Sequence, residues 1–577
     1  MAQQRHLNTQ SSFDLWGEDQ NPKEPPSISP PPKFEFSLGF TPSSYHWPIF
    51  QFGQEPQSGN ALIDACPGSG KSTTIIEFAR ILPPDQSILV VAFSKHIADE
   101  LQPRLRRSGL AHRSHSRTGK RLVEARTIHS FGLDILRRNL LKGKEGKLSL
   151  EESKYDKLTR EYLATRGLSA RDYQLPVTEL VRLAQLTLTD PENEEAMREL
   201  ALHYNLVEAF QYWETVYFMA KHILEQGKEL AQDKHIINFE DMLWLPSVLK
   251  LAPRERYDWV LVDEYQDLSR AQLEIVLNCA TPQGRFLFVG DHHQSIFGFN
   301  CAEIGIKELI LERTAAREFP LPITYRCPRT HVALAREVYS GIQTGPDAKP
   351  GEVLEIELAE VVGEVRAGDL VICRTTAPLI SLCFELLRQG VQARVRGRDI
   401  GRSLVAILTP LEKAELAGKF VFDLENFLGW LEIEEEKGVA QAERAVNVGA
   451  SPTTPELVKD KFQTIKAIYL TQANRPQSAQ ALKKLILSLF SDTTAAVWLS
   501  TIHRAKGLEA KRVFFLKPEL LPHPMATLGW EKVQEMNCKY VAVTRAKQTL
   551  YFVTDNSERK EADKHKQNQA VILSDYE

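Results

Sequence analysis

The sequence predicts an α/β fold of parallel sheets carrying two helical insertions, and three observations predict it. A glycine-rich loop sits between a short apolar run and a helical pattern at 60–74. Further apolar runs end in polar or acidic residues at 87–95, 258–267 and 286–299. Buried parallel strands read this way when their carboxyl ends deliver side chains into a ligand crevice. Long stretches of helical spacing with few strand signals occupy 133–235 and again 403–490.

The glycine loop organises the rest. Ala61, Leu62 and Ile63 form its strand, Ala65-Cys66-Pro67-Gly68-Ser69-Gly70-Lys71-Ser72-Thr73 the loop, and Ile75, Ile76, Phe78, Ala79 and Ile81 the helical pattern that follows. Gly68 and Gly70 allow a tight turn with N–H groups pointing inward, and the helix adds its positive end, which makes a phosphate cradle. Lys71 is expected to reach the β and γ phosphates, and the Ser72 hydroxyl to ligate Mg²⁺. The strand at 258–263 then delivers Asp263 and Glu264 side by side. Downstream of a phosphate loop this pair predicts Asp263 on Mg²⁺ through water and Glu264 orienting and deprotonating the attacking water.

Composition sets the outer bounds. A chain of 577 residues, 43% apolar, suggests three or four domains with real cores. A formal charge of −4 confines any nucleic-acid surface to a local groove. The seven cysteines are scattered without a CxxC pair, which reads as a reduced protein lacking a structural metal or iron-sulfur cluster. With no run of 18 apolar residues and no charged-then-apolar leader, a soluble cytoplasmic protein without membrane contact is expected.

Residues 1–40 carry Gln, Ser, Asn and a proline cluster and read as a disordered tail. The strand after the loop helix ends in Phe93, Ser94 and Lys95, which places Phe93 at the crevice to stack on a base. A basic stretch follows, Arg104, Arg106, Arg107, Arg113, Arg117, Lys120, Arg121 and Arg126, with Glu124 its only acid, and phosphate contact is expected of it. His112 and His115 lack further ligands for a metal. Thr127-Ile128-His129-Ser130-Phe131-Gly132 forms the next polar-aromatic cluster, before the all-helical insertion at 133–235. The strand at 286–289 leads to Gly290-Asp291-His292-His293-Gln294-Ser295-Ile296-Phe297-Gly298-Phe299. The Gln294 amide can donate to a γ-phosphate oxygen or to the attacking water. Phe297 and Phe299 share one face of an extended segment, each offering about 1–3 kcal/mol of base stacking. The adjacent His292 and His293 suit no metal geometry and read as polar loop residues.

The order of the phosphate loop, AFSK, TIHSFG, VDEYQD, GDHHQSIFGF, TYR, STIHRAKGLE and YVAVTRA resembles the UvrD/Rep type of superfamily 1 DNA helicase, from about His46 to Val553. The resemblance implies a P-loop NTPase of two RecA-like domains, with ATP and Mg²⁺ in the cleft between them and a single DNA strand across both, moving 3′ to 5′. The boundaries expected are 41–132 with 236–316 for the first domain, 133–235 for its insertion, 317–402 with 491–556 for the second, 403–490 for its small helical insertion, and a polar tail at 557–577. In this pattern His46 aligns best with a glutamine that reads adenine, and Gln51 lies nearby. Tyr325 is implied to stack on adenine, Arg326 to contact the γ-phosphate, and Gly507 and Glu509 to face the nucleotide. Thr501 and His503 are implied to face DNA, with Phe93, Ser94, Lys95, Thr127, His129, Phe297 and Phe299. Arg545 is the second arginine, of a kind that contributes about 10³ to 10⁵ in rate in other NTPases.

The sequence departs from the family pattern in places. Asn300 and Cys301 stand where an arginine and a glycine are usual, His292 and His293 where an acidic or asparagine pair is commoner, and Thr73 where an arginine is frequent. These bear on coupling and adenine selection. Arg374 falls in a weaker motif without an assigned role. The short second insertion implies a compact enzyme, and the paired acids and cysteine cluster of nuclease-fused relatives are missing. The expected activity is ATP-driven movement on single-stranded DNA and unwinding at ss/ds junctions in repair, replication or defence, with a protein loading partner left open. Two other readings stand beside it: a translocase that strips proteins without separating duplex, and an ATP-switched subunit of a larger assembly.

Overall fold

The structure, a computed structural model, describes residues 41–555 except 56–57, 93–94, 115–121, 142–146, 205, 207–211, 299–300, 303–304, 390, 397, 448–454, 471, 473, 490–496 and 525. Of 95–97, 100, 387–388, 398–400, 441, 443–447 and 455–457 it describes the backbone alone.

Six strands, β1 (Ala61–Ala65), β2 (Ile88–Ala92), β3 (Val123–Thr127), β4 (Tyr257–Asp263), β5 (Ala280–Gly290) and β6 (Arg317–Leu321), form a parallel sheet in the order β3-β2-β4-β5-β1-β6. Helices cover both faces, which is why its inner strands are almost continuously apolar. On one face lie His46–Gln54 and Lys71–Ile81. On the other, Ile128–Leu140 shares a core with the first insertion. β6 pairs with β1 from Ala61 opposite Arg317 to Ala65 opposite Leu321. The first lobe therefore runs through Leu321, and the border expected between 316 and 317 is corrected. Arg317, Glu318 and Pro320 give this edge strand its polar, proline-broken look, which hid it.

The second lobe repeats the plan. β7 (Glu352–Glu357), β8 (Leu370–Cys373), β9 (Ala393–Val395), β10 (Val497–Thr501), β11 (Ala510–Leu516) and β12 (Ala546–Thr554) are parallel in the order β7-β12-β11-β8-β10-β9.

Each insertion is fused to its own lobe. The first holds helices Lys154–Arg166, Ala170–Thr187, Glu194–His203 and Trp213–Asp233, with the two-residue strands Ser149–Leu150 and Ile236–Ile237 pairing at its base. There the fully buried Lys154 Nζ donates to Asp241 Oδ2 at 2.6 Å and to the Gly227 carbonyl at 2.7 Å, while Asp241 Oδ1 accepts from Tyr155 and Gln185. Every charge in that knot has a partner, as a buried pair requires. In the second insertion, Phe427, Leu431 and Ile465 share a core with Val371 and Leu499 of the sheet. Asp460 accepts the Thr376 and Ala377 amides, which fastens the insertion to the end of β8.

The lobes meet through a mixed core in which Cys66 and Ile296 of lobe 1 pack with Ile372, Ile502 and Tyr540 of lobe 2. All seven cysteines are buried and unpaired. Among the described residues no helix is long and apolar enough to cross a membrane.

Candidate nucleotide site and strand-facing cavity

The glycine loop leaves β1 and closes into helix Lys71–Ile81. Gly68 and Gly70 take φ values of 75° and 91°, a region only glycine enters freely. Gly68 is also pressed against lobe 2. A Cβ on it would lie 2.4 Å from Arg326 Cβ, and its carbonyl accepts the Tyr325 N–H at 2.9 Å. Gly70 gives the helix no capping side chain, and Ser69 Oγ is buried without a hydrogen-bond partner among the described residues. Unspent donors at a helix N-terminus, beside an ammonium group, fit a nucleoside triphosphate.

Lys71 Nζ lies 3.4 Å from Glu264 Oε2. Burial would lower the lysine, but Glu264, Asp291 and Asp263 hold its pKa above the ordinary value. Burial would raise the Glu264 carboxyl, yet Lys71, Lys506 and a 2.6 Å hydrogen bond from Gln266 bring it down to about 2. Asp263, at the end of β4, is buried next to it. A carboxylate pair beside the Lys71 ammonium, with Ser72 next in the chain, fits Mg²⁺ as well.

Lobe 2 supplies the other side. Arg545 is 1% exposed, held by the Val541 and Leu508 carbonyls at 2.9 and 3.2 Å, and its Nη2 reaches Gln294 Oε1 of lobe 1 at 3.4 Å. Burial and then Arg326 press its pKa down, though a guanidinium keeps its charge. Gln294 Nε2 in turn donates to Asp291 at 2.7 Å. Arg326 pairs with Glu509 at 2.6 Å, and Lys547 pairs with the same carboxylate. Tyr325 is 54% exposed, and Gly507 has φ 86°. Lys71, Asp263, Glu264, Gln294 and Arg545 thus meet in one cleft.

His46 departs from its expected place. Its ring is 2% exposed, its Nδ1 accepts the Ser43 N–H at 3.1 Å, and burial lowers its pKa to about 4. No ring edge is open to a base, whereas Gln51 and Thr73 are half-buried. Arg113 is likewise corrected from phosphate contact. Its guanidinium donates to the carbonyls of Ala79, Arg80 and Leu82, closing the end of helix Lys71–Ile81.

In lobe 2, Thr501 and His503, expected to face DNA, line a cavity of about 1400 Å³ with Arg374, Trp530 and Gln534. Burial holds the His503 imidazole neutral, its pKa lowered to about 3, and its Nε2 lies 3.6 Å from Cys538 Sγ. Phe297 packs between His503, at 6.3 Å, and the Lys506 ammonium, at 5.1 Å. Thr127 caps helix Ile128–Leu140 through Ser130, and His129 lies edge-on to Phe239. Phe93, Ser94 and Phe299 lie outside the described residues, as does the Lys95 side chain.

Sequence reasoning gave Lys506 no role, yet it joins the lobes, donating to both Asp267 carboxylate oxygens at 2.7 Å and to the Gln294 carbonyl at 2.6 Å. Arg374 forks onto Glu535, whose carboxylate also takes the His523 amide. His292 is not a bystander: it pairs with Asp64 at 3.0 Å, just before the glycine loop, and Lys307 reaches the same acid. An acid at the end of the loop strand was the one available signal for that pairing.

Two parallel sheets with a phosphate loop in one and a buried arginine from the other define a two-lobed NTPase of the P-loop class. The UvrD/REP helicase N-terminal domain model matches residues 51–313, and the UvrD-like helicase C-terminal domain model matches 455–557. The chain belongs to the UvrD/Rep-like superfamily 1 helicases. It is similar to the ATP-dependent DNA helicase Rep of Buchnera aphidicola subsp. Baizongia pistaciae, 25% identical over 262 residues, covering 43% of this chain and 36% of Rep. A probable DNA helicase of Mycoplasma pneumoniae is 24% identical over 315 residues, covering 53% and 45%. The ATP-dependent DNA helicase PcrA of Staphylococcus aureus is 22% identical, covering 86% of this chain and 81% of PcrA. The match thus spans less than half the length of the first two relatives and most of the third.

Proposed function

We propose that the chain is an ATP-driven DNA translocase that moves 3′ to 5′ on a single strand and separates duplex at ss/ds junctions. The observation that carries this reading is the continuous contact from Arg545 of lobe 2 through Gln294 to Asp291, beside the Lys71 and Glu264 pair of lobe 1. A nucleotide gripped there would touch both lobes, so its cleavage would change how they sit.

Lys71 and the loop amides bind the phosphates, Arg326 and Arg545 neutralise charge on the γ-phosphoryl group, and Gln294 reports its presence to lobe 2. Ser72 and Asp263 would hold Mg²⁺, which when bound neutralises phosphate charge. Glu264 orients water and takes its proton. While Lys71 pairs with it, Glu264 is a weak base; once Lys71 engages phosphate, burial pushes the carboxyl upward and strengthens it. Lys506 links this change to Phe297 and the cavity wall.

The test is ATP hydrolysis with and without single-stranded DNA, followed by unwinding of duplexes bearing a 3′ or a 5′ overhang. Strand-stimulated hydrolysis with unwinding from the 3′ overhang is expected. Hydrolysis indifferent to DNA would refute the reading.

A further inference from the structure

Helix Glu194–His203 of the first insertion and helix Gly529–Val543 of lobe 2 lie far apart in the chain, yet the end of one meets the start of the other. The Trp530 indole lies flat over the His203 imidazole, with ring centres 5.9 Å apart and 17° between planes. Tyr204 stands edge-on to the indole at 6.1 Å. Trp530 Nε1 donates to the His203 carbonyl at 3.3 Å, one of the acceptors that a helix leaves open at its C-terminus. The Cys301 thiol lies beside Tyr204 and Arg182, both of which act on its pKa. Cys301 follows the Phe297 loop, and that loop is held to lobe 2 by Gln534, whose Oε1 accepts the Gly298 N–H. On its other side Trp530 lines the cavity that holds Thr501, His503 and Arg374.

We propose that His203, Tyr204 and Trp530 form an aromatic clasp joining the first insertion to lobe 2 at the wall of the strand-facing cavity, so that a bound single strand lies in a closed passage and not an open groove. The proposal rests on the strand-translocating reading above. Three rings and one hydrogen bond make a contact small enough to open and close with thermal motion. While the clasp is open a strand enters sideways. While it is closed a strand leaves only by its ends, which lengthens its stay without adding a contact to any base. Cys301, at φ 58° where the family pattern has glycine, ties the clasp to the aromatic loop, so the two move together.

The test asks whether the passage is closed. His203→Cys with Trp530→Cys, joined by a short bis-maleimide, fixes the clasp shut, and the native cysteines are buried away from the reagent. The linked protein should bind a linear oligodeoxythymidylate and bind a circular single strand at least about tenfold more weakly. Equal binding of circular and linear strands would overturn the clasp. In the unlinked protein, His203→Ala should speed strand release about fivefold, with hydrolysis at saturating strand unchanged, and His203→Tyr should restore slow release. Unchanged release in His203→Ala would also count against it. If the unaltered protein shows no strand-stimulated hydrolysis, the translocase reading fails; if stimulation is intact and the circular strand still binds, the clasp alone fails.

Discussion

In the nucleotide cleft three cations are held by acids, Lys71 by Glu264, Arg326 by Glu509 and Lys506 by Asp267, and a fourth, Arg545, by carbonyls. The cavity of lobe 2 is different: Arg374 is likewise spent on Glu535, but the wall is a broad mixture of charged side chains such as Lys459, Lys461 and Glu531 with Thr501, His503, Trp530 and aliphatic neighbours. The first site is wired for charge that arrives with a ligand and displaces internal pairs. On the proposed reading the second offers a strand many weak contacts, none of which holds it alone. Chemistry in the cleft should therefore fail abruptly on substitution, while the cavity should lose affinity by degrees.

The largest break is expected from Lys71→Ala or Glu264→Gln. Each should reduce strand-stimulated hydrolysis by about 10³ or more, because each removes a group that meets the reacting phosphate or water. Glu264→Gln should still bind nucleotide, which equilibrium binding would show. Wild-type turnover in that variant would remove Glu264 as the base. Arg545→Ala comes next, with a loss on the order of 10³ in turnover, and Arg545→Lys should not restore it, since an ammonium cannot reproduce the fork held by Val541 and Leu508.

The same contrast explains what could be read from the amino acids. The cleft was legible because each functional group sits in a short contiguous motif at the end of a buried strand, and phosphate chemistry allows few residue types there. Most of the first sheet and the helical insertions followed from apolar runs and helical spacing, whereas the second lobe followed from the family resemblance, with only Leu370–Cys373 and the start of Val497–Thr501 legible as strands. Edge strand Arg317–Leu321 did not, because charge and proline broke its pattern while β1 supplied the pairing. Lys506 and His292 were visible as letters, but their partners Asp267 and Asp64 are 239 and 228 residues away, a distance no local pattern spans. His46 fitted an alignment and fails on burial. The wall of the cavity, with Trp530 against His203, depends on how two helices of different lobes meet.

Phe297→Ala sharpens the contrast from the cavity side. Stacking is worth about 1–3 kcal/mol per base, so strand affinity should fall between about fivefold and a hundredfold. Turnover at saturating strand should change far less, because Phe297 packs on Lys506 and His503, at the cavity side of the cleft. Fluorescence anisotropy against strand concentration, read beside kcat, checks this. A collapse of kcat with affinity intact would place Phe297 in the cleft's machinery.

The smallest effect separates two acids within the cleft. Asp267 lies at about 6, raised first by burial, drawn back by Lys506 and raised again by Glu264. An acid whose folded pKa is raised keeps a proton that the unfolded chain has already lost. Its stabilising contribution is full below about pH 4 and disappears as pH climbs through about 6. Glu264, brought down to about 2, has the opposite sign: its contribution is present above about pH 4.5 and fades only as pH falls toward 2. Asp267→Asn should therefore flatten the fall in stability between about pH 4 and 6, followed by urea midpoints across that range, while leaving the acid limb below it intact. If the slope between pH 4 and 6 survives the substitution, the proton belongs elsewhere and Lys506 is paired with a permanently ionised partner.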